Sequence, residues 1–384
     1  MQVQPNSENN ETGTSMINVF LLVPELTPCP EAFAARLLAL ELPRDRYSVA
    51  VGVLGSPDTP IGKELRAAGI RVHPVPIRHS LDLKGLRRLR RAVHGTVPVV
   101  LHIFGPEAAR AARLVVDAQG EGGNVPRLVV SGAASPTGGL GGWFASRLIR
   151  RADRVVPNTW ADGERYRRLG VHAERLTRIC PAASQLAPVS DPSAVLAELQ
   201  LPPNSRFIVT NGQLEHGSGP KDAIVAFDML RYEANDLHLV VYGAGHGRPV
   251  LEQFGQSLAF DDFRIKFPDE NIVDRATAVQ LATAVWVTSP HGGTEEVLEA
   301  MAAGKPIVAW ATPDLTEIID DGVTGFLVPV GDKAMLAAKG RLLIDDPALA
   351  EWMGKAGQRR ATERFPVARM VDQFSRVYSE VADS

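Results

Sequence analysis

Residues 289–332 read SPHGGTEEVLEAMAAGKPIVAWATPDLTEIIDDGVTGFLVPVGD and decide the fold. The apolar run at residues 285–288 predicts a strand that enters this stretch, and residues 295–303 have the spacing of a helix. Gly304 ends that helix, and Pro306 starts a second apolar run that predicts another strand. A strand, a glycine loop, a helix and a second strand make a βαβ unit, so this stretch predicts a parallel sheet.

The same alternation extends along the chain in two series. Strand-like and helix-like stretches alternate from residue 17 to residue 130, and a second series runs from residue 207 to residue 309. Between them, residues 181–205 carry five prolines and little strand character. The predicted fold class is therefore α/β, with two Rossmann-like domains that face each other across a cleft.

The proline-rich stretch and the polar N-terminus set the predicted domain boundaries. In chain order, the predicted segments are a disordered tail at residues 1–15, an N-terminal domain at 16–185, a linker at 186–204, a C-terminal domain at 205–365 and a C-terminal helix at 366–384. We expect that helix to pack back towards the N-terminal domain.

The composition is that of a globular protein without a strong charge. Hydrophobic residues make up 45% of the 384 residues and charged residues 22%, and the formal net charge is -3. A chain with this charge is not expected to bind nucleic acid. Cys29 and Cys180 stand far apart without metal-ligand spacing, and residues 1–15 lack the apolar core of a signal peptide. We therefore expect a cytoplasmic protein without a bound metal.

The glycine loop has the chemistry of an anion site. Gly292 and Gly293 let a ligand approach the backbone closely, and the free N–H groups at a helix start bind phosphate. Thr294 is the predicted N-cap of the helix. Glu299, one turn further along, is expected to accept hydrogen bonds from ribose hydroxyls. These four residues are the predicted core of a donor-binding site.

The stretch from residue 291 to residue 332 resembles the C-terminal nucleotide-sugar site of GT-B glycosyltransferases, most closely the retaining family 4. The matching motifs are EAMAAGKPIVA, TEII, DGVTGFLVPVGD and, later, RATERFP, in the order that the family has them. The similarity covers most of residues 207–378 and is weaker in the N-terminal half. It implies a GT-B fold and transfer of a sugar from a UDP- or GDP-sugar with retention of configuration. It also implies no cofactor, because the nucleotide-sugar is a substrate.

The family handles its donor with two glutamates eight positions apart, and this chain keeps only the second. Glu299 matches the ribose-binding glutamate, whereas position 291 is a histidine. His-Gly-Gly ahead of a glutamate is similar to the donor motif of the inverting family 1, in which the histidine touches the diphosphate. The resemblance thus assigns His291 to the phosphates of the leaving group and leaves retention or inversion open.

Other family positions also differ in this chain. Gln213 stands where the family has a phosphate-binding arginine, and Lys221 is the cation nearest to the position of the family's lysine. His291 and Lys221 are therefore the predicted catalytic residues, since cations stabilise a diphosphate leaving group. Gln213 is kept among the donor-binding candidates, together with Asp314 and Glu317 from the loop and helix start further along.

The acceptor is expected to be a glycan, a lipid or a small molecule that binds to the N-terminal domain. His102, at the end of a predicted strand, is the candidate residue on that side, and a histidine of the protein core is the alternative interpretation. Three basic clusters in the same domain predict weak peripheral contact with a membrane. Their members are Lys84, Arg87, Arg88, Arg90 and Arg91; Arg147, Arg150, Arg151 and Arg154; and Arg165, Arg167 and Arg168.

Two alternatives to an active transferase remain open. The replaced family residues fit a catalytically degenerate homologue that binds a nucleotide or a partner. The run Gly-Gly-Thr-Glu-Glu at residues 292–296 is also similar to a motif of GT-B sugar-nucleotide epimerases. The family-4 motif at residues 321–332 counts against the epimerase.

Overall fold

The computed structural model describes residues 16–27, 29–77, 82–116, 125–132, 139–183, 186–212, 214, 219–230, 234, 236–243, 245–259, 264–269 and 272–384. The predicted tail at residues 1–15 lies outside them. The chain divides into two compact units. Unit 1 comprises Met1–Val156, Tyr166–Thr177 and Val371–Ser384, and unit 2 comprises Pro157–Arg165 and Arg178–Met370.

Unit 1 is built on a parallel sheet of six strands in the order β3-β2-β1-β4-β5-β6. The central strands are apolar along their length because helices cover both faces of the sheet. The strands are β1 (Ile17–Val23), β2 (Tyr47–Val53), β3 (Arg71–Pro74), β4 (Val100–Phe104), β5 (Arg127–Ser131) and β6 (Arg154–Val156). The helices are α1 (Pro30–Glu41), α2 (Pro60–Ala67), α3 (Leu83–Thr96), α4 (Gly105–Val116) and α5 (Gly139–Arg151).

Unit 2 has a second parallel sheet, in the order β12-β11-β10-β7-β8-β9. Its strands are β7 (Arg206–Asn211), β8 (Leu237–Tyr242), β9 (Ile265–Lys266), β10 (Ala284–Val287), β11 (Ile307–Trp310) and β12 (Phe326–Val328). Its helices are α7 (Pro192–Glu198), α8 (Gly219–Leu230), α9 (Arg248–Ala259), α10 (Arg275–Leu281), α11 (Thr294–Ala302), α12 (Lys333–Asp345) and α13 (Pro347–Arg364). Two further helices, α6 (Trp160–Arg168) and α14 (Val367–Ala382), each contain a boundary between the units.

The two sheets confirm the predicted α/β class and the two Rossmann-like domains. Residues 186–204, predicted as a linker, belong to unit 2 and contain α7. Leu199 and Leu201 from this stretch are buried in the core of unit 2. The burial of these side chains explains why the stretch is part of the unit although it is rich in proline.

Aspartates begin many of the helices. At the starts of α3, α7, α10, α12 and α13 the capping carboxylate accepts a hydrogen bond from the backbone N–H three residues later. Such caps satisfy donors that have no partner within the helix, and each is worth about 1 kcal/mol. The capping residues are Asp82, Asp191, Asp274, Asp332 and Asp346.

His102 lies in the core of unit 1 and has no exposed surface. Its Nδ1 is 2.6 Å from the hydroxyl of Tyr378, and its Nε2 is 2.8 Å from the hydroxyl of Ser131. Burial lowers the pKa of His102 to about 3, so the ring is neutral and one nitrogen donates while the other accepts. The predicted acceptor-side role is not supported by this position, because a buried ring with both nitrogens bonded cannot touch a substrate. His102 instead ties β4 to β5 and to the C-terminal segment of unit 1.

We predict that His102→Leu lowers the free energy of unfolding by about 2–4 kcal/mol, because it leaves two buried hydroxyls without a partner. The histidine also makes stability depend on pH. Its pKa is depressed in the folded state, so the unfolded chain binds the extra proton and stability is lost as the pH falls below about 6.5. Urea unfolding at pH 7.5 and pH 5.5 measures both effects.

The exposed His172 supplies the matched control. His172→Leu is expected to change the unfolding free energy by less than about 0.5 kcal/mol. Equal stability of the two variants, or the same pH dependence in His102→Leu as in the parent protein, would contradict this account of His102.

Candidate functional site

The sheet of unit 2 has a switch point between β7 and β10. These strands are neighbours, yet the chain continues from β7 to β8 on one side and from β10 to β11 on the other. In open parallel sheets, ligands bind outside the carboxyl ends of the strands at this point. Asn211 ends β7 here, and the loop of residues 288–293 leaves β10 and leads into α11. The predicted donor loop therefore lies at the edge that the topology favours for a ligand.

Two glycines shape this loop. Gly292 and Gly293 have φ angles of 73° and 84°, in the left-handed region where a side chain is strained. A Cβ on Gly293 would lie 2.9 Å from Cγ1 of Val287, whereas one on Gly292 would meet nothing within 4 Å. The N-cap of α11 is Gly293, so the prediction of Thr294 was wrong by one residue. The side chain of Thr294 is buried and donates to Oε2 of Glu295 at 2.8 Å instead.

Glu299 is buried on α11 against a single arginine. Nε of Arg275, the first residue of α10, donates to Oε2 of Glu299 at 2.6 Å. The side chains of Arg275 and Glu299 are only 9% and 11% exposed. Burial raises the pKa of Glu299, and the charge of Arg275 opposes that shift. No sequence pattern indicated Arg275, because 24 residues separate the pair and no spacing rule connects them.

The other two glutamates of α11 are held by amides. Nδ2 of Asn158 donates to Oε1 of Glu295 at 3.3 Å, and Nδ2 of Asn211 donates to Oε1 of Glu296 at 3.0 Å. Oε2 of Glu296 is buried without a hydrogen-bond partner among the described residues. Both carboxylates are thus directed towards neighbouring side chains within unit 2.

Asp314 joins the glycine loop to a distant part of the chain. Its carboxylate receives two bonds from the guanidinium of Arg165, at 2.9 and 3.0 Å, and one from the hydroxyl of Thr159 at 2.5 Å. The backbone N–H of Gly292 also favours the ionised form of Asp314. Burial pushes the pKa of Asp314 up, but the bonds from Arg165 and Thr159 outweigh it and hold the pKa below its ordinary value. These contacts give Asp314 a positioning role, and its predicted contact with the donor stays a prediction.

Glu317 is bound by the same part of the chain. Its Oε1 accepts the backbone N–H of Ala161 at 3.1 Å, and its Oε2 lies 3.2 Å from Nη2 of Arg178. This second contact is an ion pair rather than a well-directed hydrogen bond, since Oε2 has no bonded donor. The guanidinium of Arg178 stacks over the indole of Trp160, 5.3 Å from the ring centre.

Residues 157–165 are the part of this site that the sequence did not indicate. They precede the C-terminal domain in the sequence but belong to unit 2, where they contact Glu295, Asp314 and Glu317. This stretch has one local feature of a helix start. The N–H of Asp162 donates to the hydroxyl of Thr159, and the N–H of Asn158 donates to the carboxylate of Asp162. This reciprocal pattern marks a helix start. It does not reveal the contact with Asp314, which is 155 residues away from Thr159.

The remaining predicted residues have fewer contacts. His291 is exposed in the loop. The ammonium of Lys221, on α8, lies 5.3 Å from the ring centre of Phe254. Gln213 lies outside the described residues. The structure therefore brings together Gly292, Gly293, Thr294, Glu299, Asp314 and Glu317 around the start of α11.

Some members of the basic clusters have partners within the protein. Arg165 binds Asp314, and Arg154 pairs with Glu380 at 3.0 Å. Among the residues that the structure describes, no helix has the length and apolar character needed to cross a membrane. The same residues contain no group of three or more His, Cys, Asp or Glu side chains placed to hold a metal ion. Contact with a membrane stays a prediction.

Two family models match the chain on either side of residue 190. The model described as Glycosyl transferase 4-like domain matches residues 32–182, and the model described as Glycosyl transferases group 1 matches residues 194–360. The chain belongs with the family 4-like GT-B glycosyltransferases. The group 1 match includes the whole of α11 and its glycine loop.

Several glycosyltransferases are similar in sequence to part of this chain. A D-inositol 3-phosphate glycosyltransferase from Streptomyces avermitilis is 28% identical over 230 residues, across 56% of this chain and 49% of that protein. An alpha-D-kanosaminyltransferase from Streptomyces kanamyceticus is 26% identical over 250 residues, across 62% and 63%. This chain thus spans less than two thirds of the length of either relative.

A solved structure matches nearly the whole chain. Alr3699/HepE from Anabaena, in complex with UDP and glucose, superposes with a TM-score of 0.77. The match covers 94% of this chain and 99% of that chain at 20% sequence identity. At that identity the likeness establishes the GT-B fold.

We predict that Arg165→Met lowers the free energy of unfolding by about 2–3 kcal/mol, because it leaves the buried carboxylate of Asp314 without its cation. The matched control is Lys355→Met, which breaks a pair with Glu351 whose side chains are 63% and 66% exposed. That change is expected to leave the free energy of unfolding nearly unaltered, because water screens an exposed pair. Urea unfolding of both variants measures the difference, and equal losses would refute the buried contact.

Proposed function

We propose that the protein transfers a sugar from a nucleotide-sugar donor, a UDP- or GDP-sugar, to a glycan, lipid or small-molecule acceptor. The observation that carries the proposal is the meeting of a glycine loop, a helix start and a buried glutamate at the switch point of unit 2. A nucleoside diphosphate needs both an anion site and an acceptor for ribose hydroxyls. This edge of the sheet offers both within two turns of one helix.

The diphosphate is assigned to the start of α11. The first N–H groups of a helix have no partner within it, so we assign the phosphate oxygens to those at the start of α11, residues 294–296. His291 from the loop and Lys221 from α8 are the proposed cations for the leaving group.

The ribose is assigned to Glu299. Arg275 binds Oε2 of its carboxylate, and Oε1 is left to accept hydrogen bonds from hydroxyl groups. We further propose that the reaction needs no metal and retains the configuration of the sugar, because the similarity to family 4 extends through residues 194–360. The metal-independent reaction and the retention of configuration are proposed from the similarity to the family and not from the geometry of the site.

A catalytically degenerate homologue is the second candidate. The replacement of family residues by His291 and Gln213 favours it. A protein of this kind binds the nucleotide but does not turn over its sugar conjugate. The epimerase has less support, since both matching family models are of glycosyl transferases.

We predict that the protein binds one of UDP, GDP and ADP in isothermal titration, and that Glu299→Gln weakens this binding by about 10- to 100-fold. Glutamine keeps the shape of the side chain and still accepts the bond from Arg275. It then presents an amide donor to the ribose in place of a charged acceptor. Glu363→Gln, an exposed change on α13, is the control and is expected to leave affinity unaltered.

The same titration separates the candidates. Binding followed by release of sugar from the matching nucleotide-sugar supports the transferase, and binding without release supports the degenerate homologue. Conversion of a UDP-sugar to its epimer without an acceptor would identify the epimerase. Absence of binding by all three nucleotides would overturn the proposed function.

A further inference from the structure

Arg275 is buried at the start of α10, where an arginine is costly unless it is paired. Asp274 caps this helix through the N–H of Thr277, so the position of Arg275 is fixed by the helix start. The residue is 9% exposed, and its Nε points at Oε2 of Glu299. Burial of an ion pair is weak evidence for a gain in stability, since desolvation offsets the attraction. Stability is therefore a weak explanation for this ion pair, and a role in ligand binding is the alternative.

The ion pair with Arg275 engages only one of the two carboxylate oxygens of Glu299. Oε2 accepts the bond from Arg275, and no other described residue donates to the side chain of Glu299. Oε1 is not among the buried polar atoms that lack a partner, so it reaches the surface of the site. A carboxylate held by one oxygen presents the other in a single direction, which suits it to accept hydrogen bonds from a vicinal pair of hydroxyls.

Burial and the charges around Glu299 affect whether its carboxyl group is ionised. Burial, Glu296 and Asp274 all favour the protonated form of Glu299, and Arg275 opposes them. A protonated carboxyl turns from an acceptor into a donor and loses its preference for hydroxyl donors. Arg275 thus favours the ionised carboxylate, and its bond to Oε2 orients the group.

We propose that Arg275 is a positioning residue for nucleotide recognition, which holds Glu299 so that Oε1 binds the 2′- and 3′-hydroxyls of the donor's ribose. This rests on the proposed function, because it assumes that a nucleotide occupies the site. Arg275 itself does not touch the nucleotide. Its effect is on discrimination between ribose and a sugar without those hydroxyls.

A purely structural ion pair makes a different prediction. If Arg275 only stabilises unit 2, its loss weakens the binding of ribose and deoxyribose nucleotides to the same extent. If it acts through Glu299, its loss weakens only the ribose nucleotide, and a second change at Glu299 has no further effect. The ratio of the two affinities separates these cases.

The test is titration of the wild-type protein, Arg275→Met, Glu299→Gln and the double variant with UDP, GDP and ADP and with their 2′,3′-dideoxy forms. We expect the wild type to prefer the ribose form by about tenfold or more, and the three variants to bind both forms within about twofold.

The outcomes of this titration distinguish failure of the proposal for Arg275 from failure of the proposed function. A preference in Arg275→Met equal to that of the wild type overturns the proposal while the proposed function stands. Failure of the wild type to bind any of the nucleotides overturns both. Circular dichroism checks that the variants are folded, and Arg275→Gln replaces Arg275→Met if the latter does not fold, with the same expected loss of preference.

Discussion

The adjacency of β7 and β10 is the constraint on which the site depends. Because the chain leaves these strands towards opposite sides of the sheet, the helices that follow diverge and their starts face an open edge. α11 begins at that edge, and the glycines before it keep side chains out of the space in front of its first amides. The loop, the helix start and Glu299 are placed by this topology, whatever ligand they bind.

The start of α11 carries more negative charge than a phosphate site is expected to tolerate. Glu295, Glu296 and Glu299 lie within two turns of each other, and Asp314 reaches the same loop. Each of these carboxylates is engaged by a donor from another element, two by asparagines and two by arginines. The negative charge of these side chains is therefore partly offset by their donors, and the amides of the helix start are also present there for an incoming anion.

Asp314 shows how this arrangement is stabilised over long range. Thr159 and Arg165 hold its carboxylate, and the backbone N–H of Gly292 favours its ionised form. Residues 157–165 thus contact Asp314 within unit 2 although they lie far from it in the sequence.

The sequence predicted the parts of the structure that follow from local patterns. Alternating apolar runs predicted both sheets, and the glycine pair, the helix and Gly304 predicted the βαβ unit around α11. It placed the N-cap at Thr294 because threonine is a common cap, whereas the left-handed φ of Gly293 makes that glycine the cap. The sequence did not reveal Arg275 or residues 157–165, because contacts over 24 to 155 residues leave no periodic trace. His102 was expected at the acceptor side since it ends an apolar run, but its bonds to Ser131 and Tyr378 place it in the core.

The most direct test of the central claim is a crystal structure of the protein with the nucleoside diphosphate that it binds. We predict phosphate oxygens about 3 Å from the backbone nitrogens of residues 294–296, and ribose hydroxyls at the same distance from Oε1 of Glu299. The ion pair between Glu299 and Arg275 is expected to stay intact. A nucleotide bound elsewhere on the chain, or one whose ribose lies away from Glu299, would contradict the assignment of this edge of unit 2 as the donor site.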